Sequence, residues 1–227
     1  VTTGGAIVFD LDGTLVDSAP DIHAAVNEVL AEDRLPPLPL DQVKSFIGNG
    51  MRVLLAKSLA AHGLPAEGDG LDRAIDRFAP VYSASVTRTL PYPGVPEALD
   101  ILAVRHPLAL CTNKPMAATR SLLAHLGWGA RFAAIVAGDS LPARKPDPAP
   151  LSQAVARAGG GPALYVGDSE VDAETARAAG LPFLLFEGGY RHRSVADLAP
   201  AASFTRFAAL PDLVADICAR HLPPAEG

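Results

Sequence analysis

Asp10 and Asp12 are the first residues in this chain whose type and spacing could do chemistry. They stand two apart in Phe9-Asp10-Leu11-Asp12-Gly13-Thr14, so an extended backbone projects both carboxylates from one face. Side by side they repel each other and any phosphate nearby. A hard divalent cation between them, Mg²⁺ above all, makes the pair tolerable. A bare Asp-x-Asp equally suits a solvated loop, and the rest of the chain must decide. A calcium EF-hand loop fails on spacing, because Gly13 falls at the fourth position of the would-be loop rather than the sixth.

Other polar residues also follow short apolar runs. Leu108-Ala109-Leu110-Cys111 leads to Thr112-Asn113, and Ala163-Leu164-Tyr165-Val166-Gly167 leads to Asp168. The missing element is a cation to hold phosphate. Lysine is scarce, with Lys44, Lys57, Lys114 and Lys145 among 19 basic residues. Lys145, in Arg144-Lys145-Pro146-Asp147-Pro148, sits just ahead of a helix begun by proline. Lys114 adjoins Pro115 and reads as a solvated charge in a loop and helix start. Cys111 ends an apolar run and reads as a small buried hydrophobe. A cysteine-nucleophile phosphatase would need an arginine shortly after it, and Thr-Asn-Lys-Pro-Met-Ala follows instead.

The elements that must position these groups fall into two textures. Ala6-Ile7-Val8-Phe9 reads as a buried strand ending on Asp10. From Ser18 to about Leu90 the pattern is helical: 20–33 with Ser18 as its cap, then about 41–46, 51–62 and 71–85. From Pro93 onward helices alternate with short apolar strands. Helices over 95–103, 116–126, 148–158 and 171–179 lead to strands ending near Thr112, Ala137, Asp168 and Phe186. Such alternation calls for a parallel sheet covered on both faces, with the helical block inserted after the first strand. Asp10, Thr112-Asn113 and Asp168 then share the C-terminal edge of the sheet, where ligands of open parallel sheets bind. The C-terminal Pro-Pro-Ala-Glu-Gly reads as a frayed tail.

With 227 residues, 49% of them hydrophobic, and a mean hydropathy of +0.21, the chain can bury a sizeable core. No apolar run is long enough to span a bilayer, and no charged region followed by an apolar stretch opens the sequence. A formal net charge of -6 argues against binding nucleic acid through phosphate neutralisation. The two cysteines, Cys111 and Cys218, form neither metal-ligand spacing nor a disulfide framework. A cytoplasmic protein with a small-molecule partner is expected, with no membrane or nucleic-acid partner and the oligomeric state left open.

Asp-Leu-Asp-Gly-Thr-Leu-Val-Asp-Ser, Leu-Cys-Thr-Asn-Lys, Arg-Lys-Pro-Asp-Pro and Gly-Asp-Ser-Glu-Val-Asp together resemble the four ordered motifs of the haloacid dehalogenase superfamily. The resemblance implies an α/β fold: a Rossmann-like parallel sheet with helices on both faces, plus an inserted all-helical cap domain. The core would comprise residues 1–17 and 91–227, and the cap 18–90. It further implies that Asp10 is the nucleophile, ionised at neutral pH without special activation, and forms an aspartyl-phosphate. Asp12 would be the acid and base. Mg²⁺ would be held by the Asp10 side chain, the Asp12 carbonyl and Asp168. Thr112, Asn113 and Lys145 would bind phosphoryl oxygens, and Asp172 would orient Lys145 or a metal-bound water.

An acid at the place of Asp12 indicates cleavage or transfer of a phosphate ester, since relatives that cleave carbon–halogen bonds lack it. A receiver domain would need neither a helical cap nor Asp12, and a degenerate binding module would have lost motif residues. Asp-Ser-Ala-Pro-Asp, Phe-Ile-Gly-Asn-Gly and Thr-Asn-Lys-Pro are similar to the phosphoglycolate phosphatases. The related sugar-phosphate mutases and small-ester phosphatases share much of this pattern. For a phosphoglycolate substrate, Gly48-Asn49-Gly50 and Arg52 at the start of a cap helix are the expected partners of the substrate carboxylate. Closure of the cap would dock this loop and exclude water.

Overall fold

The computed structural model describes residues 4–221, and the Pro-Pro-Ala-Glu-Gly segment lies outside them. The chain runs β1 (Ala6–Phe9), β2 (Val16–Asp17), α1 (Ala19–Glu32), α2 (Leu40–Lys44), α3 (Met51–Ala60), α4 (Asp69–Ala84) and β3 (Leu90–Pro91). It continues through α5 (Val95–Ala103), β4 (Leu108–Cys111), α6 (Met116–His125), β5 (Ala134–Val136), α7 (Ala149–Arg157), β6 (Ala163–Gly167), α8 (Glu170–Ala179) and β7 (Phe183–Phe186). Last come α9 (Val195–Leu198), β8 (Ala202–Phe204) and α10 (Leu210–His221).

A six-stranded sheet has the order β5-β4-β1-β6-β7-β8, and every pairing in it is parallel. The expected Rossmann-like α/β sheet is therefore present, extended by β8. All but β8 of its strands are apolar because both faces are covered. In β1, Ile7 and Phe9 join one core cluster, whereas Ala6 and Val8 join the other. The same alternation sends Leu108 and Leu110 to one side and Ala109 and Cys111 to the other.

β1 lies between β4 and β6, with Phe9 level with Leu110 and Val166. The residues that follow these three strands are Asp10, Thr112 and Asp168. One edge of the sheet thus collects groups more than a hundred residues apart, at the point where the strand order reverses.

Residues between the two short strands β2 and β3 are helical and build their own apolar cluster. Ile22, Val26, Leu30, Leu55, Phe78 and Tyr82 belong to it, joined by Ala118 of α6. The two crossings between this segment and the sheet are themselves paired, antiparallel, with Val16 opposite Pro91 and Asp17 opposite Leu90. Ser18 does not cap α1 with its side chain. The Tyr190 phenol oxygen instead accepts the N–H groups of Ser18 and Ala19 at 2.9 and 3.0 Å, which satisfies donors that a helix start leaves free.

Candidate active site

Lys145 is the centre of a buried ionic cluster. Its ammonium lies 2.9 Å from Asp10 Oδ1 and 2.7 Å from Asp172 Oδ1, and it donates to the Tyr165 hydroxyl at 2.9 Å. Tyr165 Oη donates in turn to Asp172 Oδ1 at 2.8 Å and contacts the Cys111 carbonyl at 3.0 Å. Asp172 Oδ2 accepts the N–H groups of Asp168 and Ser169 and the Ser169 hydroxyl, while Ser169 caps α8 in return. This capping box fixes Asp172 under Lys145. Asp172 therefore stands where the expectation that it orients Lys145 requires it.

Asp168 is held from two sides. The Thr14 hydroxyl donates to its Oδ1 at 2.8 Å, and the Tyr190 N–H donates to its Oδ2 at 2.6 Å. Gly13 between them adopts φ +83°, and a Cβ there would lie 2.6 Å from Asp168 Oδ2. Only glycine meets both demands.

Burial pushes the Asp10 carboxyl up to about 7 against the opposing pull of Lys145, with Asp172 and Asp12 adding to the rise. Burial also drives Asp168 well above the ordinary carboxylate value, helped by Asp172 and Asp10. Asp172 is held below that value, because Lys145, Ser169 and Tyr165 outweigh its burial. The two carboxylates hold Lys145 above its usual value in spite of burial. The expectation that Asp10 ionises without special help is thus corrected: in the protein alone, three buried carboxylates exceed the charge of one ammonium.

That excess is the signature of a cation site. Oxygens of Asp10, Asp168 and Asp172 all lie within 4.8 Å of one another. Asp10 Oδ1 is buried and receives no hydrogen bond of acceptable angle, although the ammonium is close. Each Asp172 oxygen accepts two or more hydrogen bonds, whereas each Asp168 oxygen accepts one, which leaves Asp10 and Asp168 with free lone pairs. An all-carboxylate donor set fits a hard divalent cation.

Asp12 and Lys114 form a second ionic group, on the side of the helical segment. Lys114 Nζ lies 3.1 Å from Asp12 Oδ1, donates to the Tyr82 hydroxyl at 2.7 Å, and sits 4.1 Å from the centre of the Tyr82 ring. Its side chain is 4% exposed. Lys114 is therefore not the solvated loop residue its neighbour Pro115 suggests. The backbone does start α6 there, but the side chain turns inward to an anion and an aromatic face.

Thr112 and Asn113 are buried beside this pair. Asn113 ties three segments together: its Nδ2 donates to the carbonyls of Lys145 and Gly48, both at 3.0 Å, and its Oδ1 accepts the Lys145 N–H at 3.1 Å. The Gly48–Gly50 loop is thereby docked on the sheet edge, where Gly50 has φ +85°. A cavity of about 30 Å³ remains, bounded by Asp10, Asp12, Thr112, Lys114, Tyr82 and the loop.

Two of the expected cap residues are placed elsewhere. Arg52 pairs with Asp72 at 2.7 Å, and both side chains are about half exposed. It lines a neighbouring cleft with Arg144 rather than the cavity at Asp10 and Asp12. The reason is geometric, since the first turn of α3 directs position 52 toward α4. Asn49 is exposed and lines neither space. Gly48 and Gly50 do border the cavity.

Sequence reasoning did not find Tyr82 or Tyr190. Tyr82 follows Phe78 by one helical turn and stacks on it at 5.0 Å, so it resembles core. Tyr190 follows β7 in Gly188-Gly189-Tyr190, and the paired glycines were its only local signal. Cys111 is buried and its thiol is pushed up to about 12 by burial, as an inert apolar residue should be.

Residues 7–186 match the family model described as haloacid dehalogenase-like hydrolase. The chain is 52% identical over 218 residues to a phosphoglycolate phosphatase of Cereibacter sphaeroides, covering 95% of this chain and 98% of that one. A phosphoglycolate phosphatase of Rhodobacter capsulatus is 42% identical, with 92% and 96% covered. The solved structure of a predicted phosphoglycolate phosphatase from Haemophilus somnus superposes with a TM-score of 0.86 at 31% identity, covering 94% of this chain and 99% of that one. The chain belongs to the haloacid dehalogenase-like hydrolase family.

Proposed function

We propose that this protein hydrolyses 2-phosphoglycolate to glycolate and phosphate through an aspartyl-phosphate on Asp10. The observation that carries the reading is a carboxylate pair, Asp10 buried and Asp12 half-buried, each with its own lysine, in a chain half identical to phosphoglycolate phosphatases.

Asp10 attacks phosphorus and the bond to the bridging oxygen breaks. Asp12 gives its proton to the departing glycolate oxygen, then takes one from the water that opens the acyl phosphate. Phosphate leaves and Asp10 is restored. Lys145, the Thr112 hydroxyl and the Asn113 backbone N–H bind the phosphoryl oxygens, and Asp172 keeps Lys145 aimed at them. Asp10, Asp168 and the Asp12 carbonyl would hold Mg²⁺, which supplies positive charge against two anions that must meet.

Residues 18–90 act as a cap over this site, joined to a core of 1–17 and 91–227. Only a cavity of about 30 Å³ separates this segment from the sheet edge, and outward movement of the segment would admit a substrate. The protein works in the cytoplasm, a reading supported by free thiols at Cys111 and Cys218. No helix among the described residues is long and apolar enough to cross a membrane.

The test is a screen of the purified protein with Mg²⁺ across small phosphate esters. Preference for 2-phosphoglycolate is expected. Comparable turnover of sugar phosphates would replace the substrate and keep the chemistry. Full activity in metal-free EDTA would overturn the mechanism.

A further inference from the structure

The phosphate half of the substrate has abundant partners, and the other half, a carboxylate, still needs one. Arg52 is turned away and paired with Asp72. Arg144 is exposed and donates through Nε to the Gly138 carbonyl. Lys145 lies beside Asp10, Asp172 and Tyr165, at the phosphoryl end of the site. Among the described residues, Lys114 is the one cationic side chain bordering the cavity that also holds Asp10 and Asp12.

From this placement we infer that Lys114, steadied by Tyr82, is the carboxylate-binding group that selects an α-carboxylated phosphate ester. The inference rests on the substrate class proposed above and names the residues that recognise it.

Length decides the matter. Asp12 must meet the bridging oxygen of the ester, because that is the atom it protonates. In 2-phosphoglycolate a single methylene separates this oxygen from the carboxylate carbon. Any group that binds the carboxylate must therefore be an immediate neighbour of Asp12. Lys114 Nζ is 3.1 Å from Asp12 Oδ1, whereas the loop at Gly48 and Gly50 offers no charge. The ammonium has three donors. Asp12 and the Tyr82 hydroxyl take two of them, and the third is available to a ligand. A buried ammonium beside an apolar wall of Ile22, Leu54 and the Tyr82 ring binds a carboxylate far more strongly than a solvated one would. Tyr82 comes from α4 and Lys114 from the sheet edge, so the subsite is complete only when the helical segment is docked.

The test compares 2-phosphoglycolate with ethyl phosphate, which keeps the chain length and lacks the carboxylate. The quantity read is the ratio of their kcat/KM values. Lys114→Met should lower this ratio by about 100-fold, mainly through KM for 2-phosphoglycolate. Tyr82→Phe should lower it about fivefold, the scale of one neutral hydrogen bond. Equal losses on both esters would assign Lys114 to orienting Asp12 and overturn the inference. A wild-type preference for 2-phosphoglycolate that survives in Lys114→Met would overturn it while leaving the substrate standing. A wild type without that preference would overturn the substrate and the subsite together. Should Lys114→Met fail to fold, Lys114→Gln and Tyr82→Phe report the same ratio.

Discussion

The two ionic groups of the site differ in who builds them. The group around Lys145 is made wholly from the sheet and the elements that follow its strands: Asp10, Tyr165, Asp168 and Asp172, the last three held by several hydrogen bonds. The group around Lys114 is shared. Asp12 and Lys114 come from the sheet edge, and Tyr82 comes from the inserted helices. On the proposed mechanism the first group would act on a phosphoryl unit common to every ester, and would gain from rigidity. The second would meet the part of the substrate that varies, and would gain from an element that can move and be exchanged.

The largest break should come at the rigid end. Asp10→Asn removes the proposed nucleophile, and kcat should fall at least about 1000-fold on every ester. The same change removes one of three crowded buried carboxylates, so the Tm in EDTA should rise rather than fall. Loss of both activity and Tm would show that Asp10 is structural.

Lys145→Met should also reduce all substrates alike, and it should destabilise the fold by about 3–5 kcal/mol because buried carboxylates lose their counter-ion. Thermal unfolding measures this, and an unchanged Tm would deny Lys145 its central place.

The metal-free protein should respond to pH in a definite direction. Asp10 has a raised value of about 7 and Asp168 is raised as well. Between the ordinary carboxylate value and about 7 the native state therefore binds more protons than the unfolded chain, and stability falls as pH rises. Asp172, with a lowered value, contributes in the opposite sense, and its share is lost only as pH falls below the ordinary carboxylate range. Tm in EDTA should decline from pH 5 to pH 8, and Mg²⁺ should flatten the decline. A Tm that climbs with pH in EDTA would contradict the carboxylate excess.

Smaller effects belong to the shared end. Gly50→Val places a β-branched residue at φ +85°, a strain of about 1–2 kcal/mol that should displace the loop and raise KM for 2-phosphoglycolate about tenfold. Arg52→Ala removes only an exposed pair with Asp72, worth less than about 1 kcal/mol, and KM should hardly change. A large KM effect at Arg52 would return the carboxylate to that residue and sharpen the comparison against Lys114.

What was legible in the sequence follows the same division. The motif strands and their helices are local apolar patterns, so Asp10, Thr112, Asn113 and Asp168 could be assigned to one sheet edge before any coordinates, while the roles of Asp12 and Lys145 came from the resemblance of their motifs. Asp172 was placed through the resemblance of its motif, and the capping box that holds it shows only in the structure. Lys114 was misread because the direction of a side chain beside Pro115 depends on Tyr82, which lies 32 positions away. Tyr190 was missed because its bonds to Asp17, Ser18 and Asp168 are long-range. β8 was missed because Ala202-Ser203-Phe204 buries little besides Phe204 at the sheet edge.

The pairing of β2 with β3 has a consequence for the history of such a chain. Val16 and Pro91 lie side by side, so everything between them is a loop whose ends the sheet already holds together. The entropy lost in closing a loop grows only with the logarithm of its length, at about 0.6 kcal/mol per doubling. Helices could be added, removed or traded between these two positions at little cost to β1 or to the edge that carries Asp10. A segment of this kind is free to diverge while the sheet edge stays unchanged.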